Sequence, residues 1–189
     1  MLILVRHGET AANVAQLLLG RSDPPLTAQG RRQAELLARH LPRPARVVSS
    51  PLARARETAG AFGPPVEVDD RWVEMDYGGL DGRPAASVPD DVWQRWRADL
   101  HFVPAGGESL AAVGSRVREA CGDLAAEAGS SDIVVVSHVS PIKAAVAWAL
   151  GVGDEVAWRM FLRDAGVCRI ATGPPAPTLL SFSEPPGPA

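Results

Sequence analysis

The chain has 189 residues, 46% hydrophobic and 22% charged, which suits one globular domain with a single continuous core and leaves little room for a second. A net charge of -3 excludes the overall positive field that recruits nucleic acid, so any anion site must be local. No stretch approaches the roughly 18 apolar residues of a membrane span, and the apolar part of MLILVRHG is short for a signal peptide, so a cytoplasmic setting with neither membrane nor nucleic-acid partner is expected.

Leu2 to Val5 is an apolar run of strand length, followed at once by Arg6-His7-Gly8. Thr27 is placed to cap a helix whose apolar positions Ala34, Leu37, Ala38 and Leu41 recur at three- and four-residue steps until Pro42 stops it. Val47-Val48 and Val66 to Val68 are weaker strands. Ser50-Pro51, and later Ser140-Pro141, read as a capping residue followed by a proline at the first helical position. Residues 70 to 107 are rich in Asp, Gly, Pro and Trp, with one helix expected around 89 to 98, and read as a lid or substrate wall. A longer helix follows Glu108, with Leu110, Val113, Val117, Ala120 and Leu124 in one stripe. Ile133 to Val136 is a second buried-strand run, and Val167 to Thr172 and Thr178 to Phe182 supply the last strands. The alternation predicts a three-layer α/β/α sandwich on a mostly parallel central sheet, one domain over 1–183, and a disordered tail over 184–189.

Cys121 and Cys168 lack a metal-ligand spacing and read as small core residues in a reducing compartment. Eighteen of the 19 basic residues are arginine and only Lys143 is lysine. Guanidinium forks suit oxyanions, but abundant Ala, Gly and Pro make compositional bias the plainer reading.

If the two apolar runs are neighbouring parallel strands, His7 and His138 converge beyond their carboxyl ends, where α/β sheets bind ligands. His40 and His101 lack this placement. Gly8 allows close backbone approach or a positive φ. Asn13 is either a helix cap or an amide donor to an oxyanion. Arg54 and Arg56 project to opposite sides of their helix, so one of them enters the site, and spacing does not say which. Glu74, Asp76 and Asp81 are candidate acids. No metal is expected: Arg6 would repel a cation beside His7, and no HxxxH or HxH spacing appears.

LVRHGETAAN, GRSDPPLTAQG, SSPLARARETA, VEMDYGGLDG, GGES and VVVSHVSPIKA together resemble, in order and spacing, the histidine phosphatase superfamily, also called phosphoglycerate mutase-like. SHVSPIKA is similar to its α-ribazole phosphatase-like branch. The resemblance implies that His7 is a nucleophile carrying a phosphohistidine, that Glu74 is the proton donor, and that Arg6, Asn13, Arg54, His138 and the backbone N–H of Val139 line the phosphate pocket. It also assigns the arginine position to Arg54, and Val139 stands where the family commonly has Gly. The expected function is metal- and cofactor-independent hydrolysis of a small phosphorylated metabolite. A cofactor-dependent phosphoglycerate mutase and a non-catalytic phospholigand-binding domain are the alternatives. Trp72, Trp93, Trp96 and Phe102 are read as core, as an apolar wall for a nucleoside or other bulky group, or as a homodimer interface.

Overall fold

The computed structural model describes residues 1–187. In chain order its elements are β1 (Leu2–Arg6), α1 (Ala11–Val14), α2 (Ala28–His40), β2 (Arg46–Ser49), α3 (Ala53–Ala59), β3 (Val66–Val68), α4 (Asp90–Ala98), α5 (Leu110–Ala128), β4 (Ile133–Ser137), α6 (Val139–Leu150), β5 (Val167–Ala171) and β6 (Thr178–Glu184). Strand order is β3-β2-β4-β1-β5-β6. The first four of these are mutually parallel, while β5 pairs antiparallel with both β1 and β6, giving the mostly parallel sheet that the apolar runs imply.

Alternation along the strands divides the core in two. Leu2, Leu4, Ile133 and Val135 face α5 and α6, where Val113, Val117 and Ile142 meet them. Ile3, Val5, Val134 and Val136 face the opposite way, onto Leu37 of α2 and Ala55 and Ala59 of α3. Both faces of β1 and β4 are therefore covered, as their unbroken hydrophobicity requires. Cys121 and Cys168 are free and buried in the first of these layers. Among the described residues no helix is long and apolar enough to cross a membrane.

Thr27 caps α2 through a 3.0 Å bond from the Gly30 N–H, as its sequence context predicts. The two Ser-Pro signals behave differently. Leu52, not Ser50, stands at the N-cap of α3, and His138 stands at that of α6, so Ser140-Pro141 lie inside the helix. Carboxylates from distant segments satisfy these helix starts instead, as described below. The stretch 184–189 is also corrected at its beginning: Glu184 belongs to β6, opposite Val167, and its carboxylate takes a 3.1 Å hydrogen bond from Arg169. That cross-strand pairing supplies order that the local composition SEPPGPA does not suggest. Pro185 to Gly187 lie beside His40, and 188–189 fall outside the described residues.

Gly8 and Gly30 bring the loop after β1 directly onto the first turn of α2. A Cβ on Gly8 would collide with the Gly30 carbonyl oxygen, and one on Gly30 with the Glu9 carbonyl oxygen. Gly8 is thus needed for close approach, not for a positive φ. Gly30→Ala would strengthen an isolated helix by about 1 kcal/mol. Here it is expected to lower the midpoint of urea unfolding, because backbone cannot move aside as a flexible side chain can; an equal or higher midpoint would contradict that contact.

Candidate active site

The pairing of β1 with β4 sets Arg6 opposite Ser137, and the next residue on each strand is a histidine. The ladder continues for one more bond, from the His7 N–H to the Ser137 carbonyl at 3.0 Å. The rings of His7 and His138 lie 5.1 Å apart, centroid to centroid, tilted by 57°. His7 is 3% exposed and His138 fully buried, whereas His40 and His101 lie on the surface.

Two contacts fix the His7 tautomer. Its Nδ1 is 2.8 Å from the Gly8 carbonyl oxygen, which can only accept, so Nδ1 carries the hydrogen. Arg54 Nε–H points at Nε2 from 3.3 Å, so Nε2 presents its lone pair. Burial, then the charges of Arg6 and Arg54, push the His7 pKa well below the ordinary imidazole value. Burial does the same to His138, reinforced by His7, Arg54, Arg6 and Arg116. The Nε2 of His138 is 2.7 Å from Ser50 Oγ.

The choice between Arg54 and Arg56 is made by burial: Arg54 is fully buried and Arg56 exposed. Besides His7, Arg54 donates to the carbonyls of Gly20 (2.8 Å) and Ser22 (2.7 Å) and to Asp23 (3.4 Å). Asp23 also accepts from the backbone N–H groups of Ala53 (2.6 Å) and Arg54 (3.4 Å), so one carboxylate caps α3 and anchors its arginine. Arg6 is oriented from the other side, by the Leu162 carbonyl at 2.8 Å and by Asp164 at 2.8 Å. Burial raises the Asp164 pKa, with Arg6 opposing the shift.

Glu74 is 3% exposed. One of its oxygens accepts from the N–H groups of Met75 (2.7 Å) and Ser140 (3.2 Å), the other from Val139 (3.0 Å). This carboxylate therefore supplies the capping of α6 that the sequence assigned to Ser140. The Val139 N–H, expected to face a phosphate, is directed at Glu74. Asp76 and Asp81 take structural roles: Asp76 closes a turn on the Gly78 N–H at 2.8 Å, and Asp81 accepts from Gly20 (2.8 Å) and Ser22 (2.7 Å). Although burial opposes it, those backbone hydrogen bonds hold the Asp81 pKa below the usual carboxylate value.

Arg6, His7, Asn13, Glu74, Tyr77 and Val139 line a cavity of about 170 Å³. Arg54 and His138 are packed against His7 without lining it. Asn13 serves α1 as the N3 partner in a capping box, its Oδ1 accepting from the N–H of the N-cap Thr10 (2.9 Å), and the residue also borders the cavity. The sequence reading missed Asp23, Asp164, Tyr77 and the pairing of Ser50 with His138. Ser50 carries a helix-cap signal that conceals its other use, and Asp164 lies 158 residues from its partner, beyond any local pattern.

Comparison with known proteins places this geometry. Residues 2–185 match the histidine phosphatase superfamily (branch 1). A bifunctional protein of Mycobacterium tuberculosis is 38% identical over 171 residues, covering 85% of this chain and 47% of that protein; the chain thus spans about half the length of the first curated relatives it matches. Phosphoserine phosphatase 1 of Hydrogenobacter thermophilus is 38% identical over 168 residues, covering 83% of this chain and 79% of that one. The crystal structure of a phosphoserine phosphatase mutant from Entamoeba histolytica, in complex with phosphoserine, superposes with a TM-score of 0.89 at 26% identity, over 97% of this chain and 96% of the other. Because the family model matches nearly its whole length, the chain belongs to the histidine phosphatase superfamily.

Proposed function

We propose that the chain is a phosphomonoester hydrolase that works through a phosphohistidine on His7 and acts on a small phosphorylated metabolite. The observation that carries this reading is the Nε2 lone pair of a neutral imidazole, held between two arginines, in a cavity that also contains a carboxyl group. Relatives named as phosphatases support hydrolysis of a phosphate ester.

In the proposed reaction, Nε2 attacks phosphorus and the ester P–O bond breaks. Arg6, Arg54 and the Asn13 amide neutralise the equatorial oxygens, with Arg54 transferring its Nε–H from the imidazole to the phosphoryl group. Protonated Glu74 gives its proton to the leaving oxygen, because an alkoxide leaves poorly. Water then attacks the phosphohistidine and passes a proton to Glu74. The P–N bond breaks, inorganic phosphate departs, and His7 returns to its neutral form. His138, kept uncharged and bonded to Ser50, braces the nucleophilic ring. Two guanidinium groups supply the positive charge that a metal would otherwise bring.

Replacing His7 by Ala should reduce turnover of an alkyl phosphate by about a thousandfold or more, measured as phosphate release; retention of substantial activity would remove the nucleophile assignment. Glu74→Gln should slow alkyl esters far more than aryl esters, whose leaving groups need less protonation. Equal losses would point to a different acid. Because the folded-state pKa of His7 is depressed, its ring should remain neutral as pH falls through the ordinary value near 6.5, and lose the lone pair only at lower pH. Nitrogen NMR of the His7 ring checks this, and half-protonation near 6.5 would contradict it.

A further inference from the structure

Lys143 is the chain's sole lysine and interrupts the apolar face of α6, within the sequence PIKAAVAWAL. It is half-buried, and its ammonium donates to the Ala157 carbonyl at 3.0 Å. An ammonium has three hydrogens to give, and among the described residues no carboxylate lies within ion-pair distance of this one. Removing such a charge from water without an opposite charge is costly, and burial lowers the Lys143 pKa accordingly, with Glu74 opposing and Arg6 adding to the shift. Among the described residues the Ala157 carbonyl and, at longer range, Glu74 offset only part of that cost.

Lys143 borders a second cavity of about 100 Å³. Its walls are aromatic: Trp93 stacks on Trp96 at 5.5 Å, and Trp158 stands edge-on to both at 6.3 and 6.0 Å. Among the described residues no carboxylate lines it. Leu18, Tyr77 and Val139 border both this cavity and the one that holds His7, so the two are adjacent. Glu74 sits where they meet, lining the first and bonded to the backbone of Val139 and Ser140, which line the second. An ester with phosphorus at His7 and its bridging oxygen at Glu74 would extend its alcohol portion into the tryptophan-walled space.

We propose that this second cavity is the leaving-group subsite, and that Lys143 there binds a carboxylate on a small hydroxy-acid portion of the substrate. The inference rests on the phosphatase reading above and adds the class of alcohol. Trp93, Trp96, Trp158, Met75 and Leu110 surround the one ammonium, a lining that suits a short alkyl chain ending in an anion. One ammonium, already sharing a hydrogen with Ala157, and no arginine in the lining suit a monoanion better than a second phosphate dianion. Trp72, in contrast, is fully buried core.

The test compares three esters: the phosphate of 3-hydroxypropanoate, its uncharged isostere 3-methylbutyl phosphate, and propane-1,3-diol bisphosphate. The native enzyme should favour the carboxylate ester. Lys143→Met, which keeps the length of the stem, should cut the ratio of kcat/KM for the carboxylate ester over the isostere by about 10- to 100-fold, chiefly through KM, and Lys143→Arg should restore part of it. A merely structural role would depress all three esters together, and an unchanged ratio overturns the proposal, as does a native preference for the isostere or the bisphosphate. Calorimetry keeps the two readings apart. If no ester is turned over, the phosphatase reading fails, while weaker binding of 3-hydroxypropanoate phosphate to His7→Ala/Lys143→Met than to His7→Ala still supports the Lys143 assignment, and equal binding refutes it.

Discussion

The site depends on one register. Because β1 lies parallel to β4 with Arg6 opposite Ser137, the residues immediately beyond the ladder are both histidines, and the sheet delivers their rings to one place. A slip of one residue would send every side chain of β1 to the opposite face. Burial of both faces forbids it, since Leu2 and Leu4 are packed under one helical layer and Ile3 and Val5 under the other. The same apolar packing that stabilises the sheet therefore specifies the position of His7.

Electrostatics build on that register. Arginines on either side of a buried imidazole would be an expensive arrangement if the ring were charged, and it is the neutral ring that the arrangement favours. Each cation is then restrained by a group of its own: Arg54 by Asp23 and loop carbonyls, Arg6 by Asp164 and the Leu162 carbonyl. The site is preorganised for negative charge, which is the condition under which positioned donors contribute most to phosphoryl transfer.

Much of this was legible in the sequence because it is written in contiguous residues. Unbroken apolar runs announced β1 and β4, the three- and four-residue stripes announced α2 and α5, and Arg6-His7-Gly8 and Ser137-His138 stood at the ends of the two strongest strands. What local pattern could not disclose were contacts closed by distant segments. Ser140 looked like a cap because Ser-Pro usually starts a helix, but Glu74, 66 residues away in sequence, holds its N–H. The Val139 N–H, expected to meet a phosphate, is directed at the same carboxylate. Glu184 looked like the start of a frayed end because its partner, Arg169, lies on another strand. Spacing could not choose between Arg54 and Arg56, since that depends on which side of α3 meets the sheet.

Asp23 carries a consequence for robustness. The same side chain begins α3 and fastens Arg54, and the adjoining carbonyls of Gly20 and Ser22 complete that attachment, yet all three belong to an irregular connection outside the sheet. Cleaving the polypeptide between Leu19 and Asp23 would leave every strand pairing intact while freeing the guanidinium from two of its moorings. Loss of the site's geometry can thus precede loss of the fold, and the two need not report on the same event.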